Sequence, residues 1–471
     1  MRKIIDKKPT LLLPIENQVR ELDPRLLLAS IAASRGLPTV IGPIREIDFH
    51  ISSYPGSLYL SKSMLPGRLE LFKIMSRLGI VIFALDEEAL VHLPPEIYYS
   101  RRLCPEAMAY VTHLFAWGQD NADLWRHYSH FPASAEIHLT GNPRNDMLRP
   151  EIRSFYEEEV SELRKNFKDF ILINTNFNHV NAFYPTMNLF LPQTSQNEPL
   201  KFGKAAKGMT LEYAQGLWEH KNSLFRDFQK LIPALDKAFP DHAIVVRPHP
   251  TENQDVYREI ARRCDRVQVI NEGNVVPWLI AAKALIHNGC TTGVEAYMIG
   301  LPSISYRASV DNAYDNGFYR LPNMVSHQCF DFEELHATLK RILAKELERP
   351  DLGPSKDVVS YHLTALDGPS SSSRMVDICE KILKNRPLSS DPPLQDYLKN
   401  VYKTFRRGLK KRYKTFRHNS HLKPDFQSHR YPAISLEEVR LRVLRFQKLL
   451  GDKKELKLEK IFNESFRISQ A

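Results

Sequence analysis

Two short segments in the second half of the chain hold residue types suited to binding a phosphate group. The first is Arg247-Pro-His-Pro250, which follows the valine-rich stretch 242–246 that predicts a buried strand. Two prolines keep this loop extended, so we expect His249 to project from the carboxyl end of the strand, where parallel α/β sheets bind ligands. Arginine and histidine in this place suit a phosphate or a leaving group. The alternative is a strand-end turn with an incidental histidine.

The second segment, Asn288-Gly-Cys-Thr-Thr-Gly-Val-Glu295, follows an apolar stretch at 284–287 and opens a predicted helix. Its two glycines allow a close approach to the backbone. Thr291 and Thr292 stand where a helix N-terminus offers N–H groups, which form a site for an anion. Glu295, one turn further, is placed to accept hydrogen bonds from ribose hydroxyls. The alternative is an ordinary helix start, where the helix dipole favours a glutamate.

A sheet must position these loops, and the chain alternates between strand and helix patterns over its first 385 residues. It begins with the strand Leu11–Leu13 and a helix start at Asp23-Pro24, and a second series begins at Phe170. Strand–helix–strand repeats with short loops predict parallel sheets. We therefore expect an α/β fold with two doubly wound, Rossmann-like domains facing a ligand cleft.

The predicted domain boundaries are 1–160, 161–385 and 386–471. The last region comprises a linker, a basic helix and a terminal amphipathic helix that opens with the capping box Ser435-Leu-Glu-Glu438.

The net charge of +10 resides in one segment, since residues 399–417 hold nine basic residues and no acidic one. Aromatic residues alternate with these lysines and arginines, which is typical of a helix that lies on an anionic membrane surface. The alternatives are a basic helix packed on the protein's own acidic face, or nucleic-acid binding, which no other part of the chain supports.

Other features exclude whole classes of protein. No apolar run approaches the ~18–20 residues that a membrane span needs. The first apolar stretch is too short for a signal peptide. Five scattered cysteines without a CxxC pair exclude a disulfide framework and a zinc knuckle. We expect a cytoplasmic protein, peripheral at the inner membrane face, with no bound metal, because Arg247, His249 and the helix N-terminus can balance phosphate charge.

The two phosphate loops resemble the C-terminal domain of GT-B glycosyltransferases, whose CMP-sugar branch binds the nucleotide phosphate with a His-Pro loop and a Ser/Thr-rich loop. Here threonines stand where that loop often carries serines. The segments 15–23, 85–88, 140–146 and 174–177 look like the bacterial surface carbohydrate biosynthesis protein family, which is similar to Kdo transferases. The resemblance spans roughly residues 10–385.

The resemblance implies a metal-independent GT-B glycosyltransferase that moves a sugar, from CMP-Kdo or a CMP-nonulosonate, to a surface polysaccharide or lipopolysaccharide acceptor. The N-terminal domain would hold the acceptor, and the nucleotide-sugar would be a substrate, with no cofactor. His249 would assist departure of the nucleotide phosphate, and a carboxylate of Asp86, Glu87 or Asp146 would act at the anomeric carbon. The nucleotide-sugar-binding candidates are Arg20, Asn174, Asn176, Arg247, His249, Asn288, Gly289, Thr291, Thr292 and Glu295.

Several of these assignments have plain structural alternatives. The acidic run 86–88 could be the solvated start of a helix, Asp146 a turn cap, and Arg20 a partner of a neighbouring carboxylate. For the whole protein, the alternatives are an isomerase like UDP-N-acetylglucosamine 2-epimerase, a CDP-glycerol-type polyol-phosphate transferase, and a binding protein without activity.

Overall fold

The structure is a computed structural model that describes residues 8–193, 198–353, 356–385, 394–414 and 430–471. The chain forms two compact units. Unit 1 takes the described residues of Met1–Ala89, Arg102–Phe155 and Ser360–Ala471, and unit 2 takes those of Leu90–Arg101 and Tyr156–Val359.

Unit 1 contains an eight-stranded sheet in the order β13-β14-β2-β1-β3-β4-β5-β6. The strands β1 to β6 are mutually parallel, and the hairpin β13–β14 joins β2 in antiparallel fashion. The strands are β1 Leu11–Ile15, β2 Thr39–Pro43, β3 Leu58–Ser61, β4 Val81–Ala84, β5 His113–Ala116, β6 Glu136–Leu139, β13 Leu456–Lys460 and β14 Phe466–Gln470.

Unit 2 contains a six-stranded, fully parallel sheet in the order β12-β11-β10-β7-β8-β9. Its strands are β7 Phe170–Asn174, β8 Ala243–Arg247, β9 Val267–Val269, β10 Ala284–His287, β11 Ser303–Tyr306 and β12 His327–Cys329. The central strands β7 and β10 are buried along their whole length, as continuous apolar strands covered on both faces should be.

Helices connect the strands. They are α1 Gln18–Ser34, α2 Ile44–Phe49, α3 Leu69–Arg77, α4 Pro95–Arg102, α5 Pro105–Met108, α6 Gln119–Arg126, α7 Pro143–Asp146, α8 Pro150–Arg153, α9 Glu157–Phe167, α10 Leu211–Ala238, α11 Asp255–Ala261, α12 Val275–Ala281, α13 Thr291–Ile299, α14 Asn316–Met324, α15 Phe332–Leu343, α16 Lys356–His362, α17 Ser371–Asn385, α18 Leu394–Lys414 and α19 Leu436–Leu450. The predicted α/β class with two Rossmann-like sheets is therefore confirmed.

The C-terminal quarter of the chain is organised differently from the prediction. Residues 360–385, expected in the second domain, belong to unit 1, and so does the region after residue 393 as far as it is described. One half of the predicted capping box is observed, because the Ser435 side chain accepts the N–H of Glu438 at 3.0 Å. The hairpin at 456–470 was not predicted. Its strand β14 joins the sheet by pairing residues 466–468 with residues 39–41 of β2.

The predicted basic segment 399–417 falls within α18 up to residue 414, and residues 415–417 lie outside the described part of the chain. None of the helices in the described ranges combines the length and apolarity that crossing a membrane requires.

Candidate functional site

In unit 2 the direction of strand addition reverses between β7 and β10. The chain runs from β7 to β8 and β9 on one side and later enters β10 on the other side of β7. In open α/β sheets, ligands bind outside the carboxyl ends of the strands at such a reversal. The predicted segments 174–176, 247–250 and 288–292 follow β7, β8 and β10, so the sheet brings them to one edge.

Asn288 joins the ends of β10 and β7. Its Oδ1 accepts the backbone N–H of Asn176 at 2.9 Å, and its Nδ2 donates to the Asn176 carbonyl at 3.4 Å. Asn174, the last residue of β7, is buried, and its Oδ1 has no hydrogen-bond partner among the described residues. A buried acceptor without a donor costs free energy. A ligand that donates a hydrogen bond to Oδ1 of Asn174 would remove this cost.

Helix α13 begins immediately after the turn that leaves β10. Gly289 has φ +81° and donates its N–H to Nδ1 of His287 at 2.9 Å. Cys290 occupies the N-cap position, and its Sγ lies 2.6 Å from Oγ1 of Thr292 in the first turn. The N–H of Gly293 donates to the Cys290 carbonyl at 3.0 Å. The N-terminus of α13 and the hydroxyls of the half-buried Thr291 and Thr292 form an element suited to an anion.

His249 lies half-buried in the loop after β8, and local contacts hold its ring. Thr251 contacts Nδ1 twice, through its backbone N–H at 3.3 Å and its Oγ1 at 2.8 Å. Since the backbone N–H can only donate, Nδ1 is the acceptor, and the neutral imidazole carries its proton on Nε2. This tautomer suits donation of a hydrogen bond from Nε2 to a phosphate oxygen.

Glu252 fixes the loop that carries His249, and sequence reasoning missed it. The buried carboxylate accepts the N–H of His249 at 3.1 Å, the N–H of Phe177 at 2.9 Å, the Thr175 hydroxyl at 3.0 Å and the Tyr257 hydroxyl at 2.6 Å. Burial raises the pKa of Glu252, although these donors oppose the shift. A lone carboxylate two residues after a Pro-His-Pro loop was the available signal.

Arg247 serves the fold of the loop beside β9. Its guanidinium donates to the carbonyls of Glu272 at 2.8 Å and Gly273 at 3.0 Å, and it lies 4.8 Å from the ring centre of Trp278. Burial lowers the pKa of Arg247 to about 10. These contacts hold the guanidinium in place, and the binding of phosphate by Arg247 stays a prediction.

Lys221 of α10 is a second residue that sequence reasoning missed. It is fully buried, and burial lowers its pKa to about 7, while the negative charges of Asp315, Glu252 and Cys290 act in the opposite direction. An amine that titrates near neutral pH therefore lies near the loop anchor Glu252 and near the N-cap of α13. Its position on an otherwise apolar stripe, with Leu217 one turn earlier, was the signal in the sequence.

Glu295 lies within the first two turns of α13 and is 6% exposed. Its negative charge, together with burial as the larger cause, contributes to raising the pKa of Cys290 to about 11. The role of Glu295 in holding ribose stays a prediction.

In unit 1, the predicted carboxylates of the acidic run are held by arginines. Asp86 accepts from Nε of Arg102 at 3.0 Å, and Glu87 accepts from Arg25 at 3.0 Å and from Asn142 Nδ2 at 3.1 Å. Burial raises the pKa of Glu87, but the surrounding cations outweigh it and hold the pKa below the usual range. Glu87 is therefore ionised at neutral pH.

Arg20 forms a salt bridge with Glu88 at 3.2 Å. The alternative considered from sequence was such an ion pair, but with a carboxylate closer along the chain. Nearby, Lys62 at the end of β3 contacts Glu16 at 3.1 Å and Glu21 at 2.5 Å. The carboxyl ends of β1, β3 and β4 thus carry a connected set of charges.

Asp146 holds the start of another helix. It is fully buried and accepts the N–H groups of Ser371 and Ser372, both at 2.8 Å, and the Ser372 hydroxyl at 2.7 Å. Burial raises the pKa of Asp146 despite these hydrogen bonds. The contacts describe a cap for α17, 225 residues along the chain, in place of the local turn considered from sequence.

No protein-family model matches the chain, and no curated protein sequence is similar to it. Among solved structures, the wall teichoic acid polymerase TagF is similar with a TM-score of 0.47 and 10% identity over 82% of this chain and 91% of that chain. The UDP-GlcNAc 2-epimerase from Methanocaldococcus jannaschii gives 0.47 and 11% over 79% and 99%. A UDP co-structure of S. aureus MnaA gives 0.44 and 13% over 81% and 99%. These values describe a likeness in general fold alone.

Proposed function

We propose that unit 2 binds the phosphate of a nucleotide-activated substrate and that the protein is a transferase for the activated group. One observation carries this proposal: the strand reversal between β7 and β10 lies beside the N-terminus of α13, and the loop of His249 follows the adjacent β8. Phosphate oxygens would accept hydrogen bonds from the first-turn amides and from the hydroxyls of Thr291 and Thr292.

The chemistry needed is stabilisation of a leaving phosphate. As the bond to the activated group breaks, negative charge builds up on the nucleotide phosphate, and the positive end of α13 and Nε2–H of His249 would stabilise it. Glu252 keeps this loop in place, and Lys221 adds positive charge nearby. This assigns His249 a catalytic role and Glu252 a positioning role.

Two transfer reactions fit this site equally well, because both release CMP as the leaving group. A CMP-linked Kdo or nonulosonic acid loses CMP when its anomeric C–O bond breaks. A CDP-linked polyol loses CMP when its P–O–P bridge breaks, and the phosphate stays with the polyol. In unit 1, Asp86 and Glu87 are proposed to act on the acceptor, and Asp146, which accepts the N–H groups at the start of α17, is given a positioning role.

An epimerase-like isomerase is the competing activity, and it would require neither an acceptor nor release of CMP. Product analysis separates the three activities. CMP and an acceptor that carries the sugar without phosphate identify the glycosyl transfer. CMP and an acceptor that carries the polyol phosphate identify the second transfer, and a rearranged nucleotide-sugar identifies the isomerase.

The first test is nucleotide binding, measured by thermal shift with CMP, CDP, UDP, GDP and their common sugar conjugates. A ligand at about 100 times its Kd stabilises the folded state by roughly 2.7 kcal/mol. We expect the shift to vanish in His249→Ala and to persist in His327→Ala, a control on strand β12 at the edge of the same sheet. The absence of any nucleotide shift, or an unchanged shift in His249→Ala, contradicts the proposal.

We also propose that α18 rests on an anionic membrane surface. Its residues Asn400, Thr404 and Arg407 face the body of unit 1 and are buried, with Arg407 3.6 Å from Asp48. The apolar side chains point the other way. Those exposed to solvent are Leu398, Tyr402, Phe405 and Leu409, spaced as one helix face.

This polarity is the reverse of that of an ordinary surface helix, whose apolar face packs inward. The outward face is bordered by Lys399 and Arg406, both exposed, so its charge complements anionic lipid headgroups. The inward contacts of Arg407 also fulfil part of the alternative, a helix packed on the protein's own acidic groups.

Sedimentation with vesicles of phosphatidylglycerol and phosphatidylcholine tests this surface. We expect the double variant Tyr402→Ser/Phe405→Ser to lose most of the binding. The matched control Leu441→Ser/Leu444→Ser removes two equally exposed apolar residues from α19 and should bind as the parent does. Equal binding of both variants, or binding indifferent to the phosphatidylglycerol content, contradicts the proposal.

A further inference from the structure

Three side chains on the two outermost parallel strands of unit 1 converge at one point. His113 is on β5, and Glu136 and His138 are on β6, the edge strand. In the strand register, His113 is opposite Glu136, and residues two apart along a strand share a face, which places His138 on the same side. The mechanism proposed above uses none of these three residues.

The potential ligand atoms are close to one another. Nδ1 of His113 lies 3.1 Å from Nε2 of His138. A carboxylate oxygen of Glu136 lies 3.8 Å from the first nitrogen and 3.6 Å from the second. Zinc binds histidine nitrogen and carboxylate oxygen at about 2.0–2.2 Å, so tetrahedral ligands stand about 3.3 Å apart. The observed separations approach this value without any rearrangement of the strands.

Two charged groups beside the site act in opposite directions on a bound cation. The Glu136 carboxylate, 3.8 Å from Nδ1 of His113 and 3.6 Å from Nε2 of His138, attracts a positive ion. The Lys381 ammonium, near His138, repels it.

We propose that His113, Glu136 and His138 form a binding site for one divalent transition-metal ion, with zinc as the ion that this donor set fits best. Two imidazoles and one carboxylate leave one coordination position, which water would occupy. The ion would tie the edge strand β6 to β5. Magnesium and calcium are excluded by the chemistry of the donors, because these ions prefer oxygen ligands.

The test uses the full chain without a histidine tag, stripped with a chelator and dialysed against zinc chloride. We expect one equivalent of zinc in the parent protein by elemental analysis, and its loss in His113→Ala and His138→Ala. Glu136→Gln should weaken binding about tenfold or more. His127→Ala, which removes an exposed histidine of the same unit, is the control and should bind as the parent does.

Two further measurements test metal binding on the parent protein itself, in case a variant alters the fold. Cobalt(II) should give the strong visible absorption of a four-coordinate ion in the parent protein and not in the double variant His113→Ala/His138→Ala. Zinc should raise the parent's unfolding temperature, and EDTA should reverse the rise. Zinc uptake equal in the parent and the double variant, or no uptake at micromolar zinc, overturns the proposal.

Discussion

Gly293 packs directly against the imidazole of His287. A Cβ at position 293 would lie 2.5 Å from Nε2 of that ring. The ring cannot move aside without breaking hydrogen bonds, because Nε2 contacts Ser326 Oγ at 2.8 Å and Nδ1 accepts the N–H of Gly289 at 2.9 Å. The close approach therefore links the first turn of α13 to the end of β10.

The first prediction follows from this contact. Gly293→Ala should destabilise the protein by roughly 1–3 kcal/mol through overpacking and should weaken nucleotide binding, since the anion-binding turn must shift. Urea unfolding and thermal shift with nucleotide measure both effects. Gly67→Ala is the control, because a Cβ there meets no atom within 4 Å. Equal stability of the two variants would show that the contact is not rigid.

Glu252 should be essential for the loop of His249. Glu252→Ala leaves several buried donors without an acceptor, and we expect a loss of roughly 2–5 kcal/mol in unfolding free energy. Nucleotide affinity should fall with it, because the N–H of His249 loses its anchor. Glu252→Gln retains one acceptor oxygen, so its stability and nucleotide affinity should lie between those of the parent protein and Glu252→Ala. The control is Glu259→Ala, an exposed carboxylate on α11. An unaffected Glu252→Ala contradicts this role.

The buried Lys221 should make the free energy of unfolding depend on pH above neutrality. Its folded pKa of about 7 lies below the unfolded value near 10.4, so the unfolded chain binds the extra proton between these pH values. Stability should therefore rise by about 2 kcal/mol between pH 7 and pH 9, and the penalty should be fully present below pH 7. In Lys221→Met this rise should be absent, as urea unfolding at both pH values would reveal. A rise of the same size in the variant would assign it to other groups.

Two substitutions of Asp146 distinguish a positioning role of its carboxylate from a catalytic one. Asp146→Ala removes the cap of α17 and should cost about 1–2 kcal/mol or more. Asp146→Asn keeps an acceptor oxygen and should retain most of the stability and the turnover. Asp377→Ala, on the exposed face of the same helix, is the stability control. Loss of turnover in a stably folded Asp146→Asn would instead support the carboxylate as a reacting group.

The helix after β1 illustrates how a local signal is overridden. Asp23-Pro24 predicts a helix start at residue 24, yet α1 begins at Gln18. The Glu21 carboxylate accepts the N–H groups of Glu16 and Asn17, at 3.1 and 3.2 Å, and so stabilises an earlier start. Pro24 then lies inside the helix.

The sequence by itself determined the alternation of strands and helices and the location of both phosphate loops after β8 and β10. These features depend on short-range periodicity and on the rule that the ends of parallel strands share one edge. Only the tertiary structure decided which charged residues are buried and what holds them. Arg247 is bound by carbonyls about 25 residues away, and Asp146 by Ser371 and Ser372. The cost of burying a charge depends on partners that folding brings together, and local sequence does not contain them.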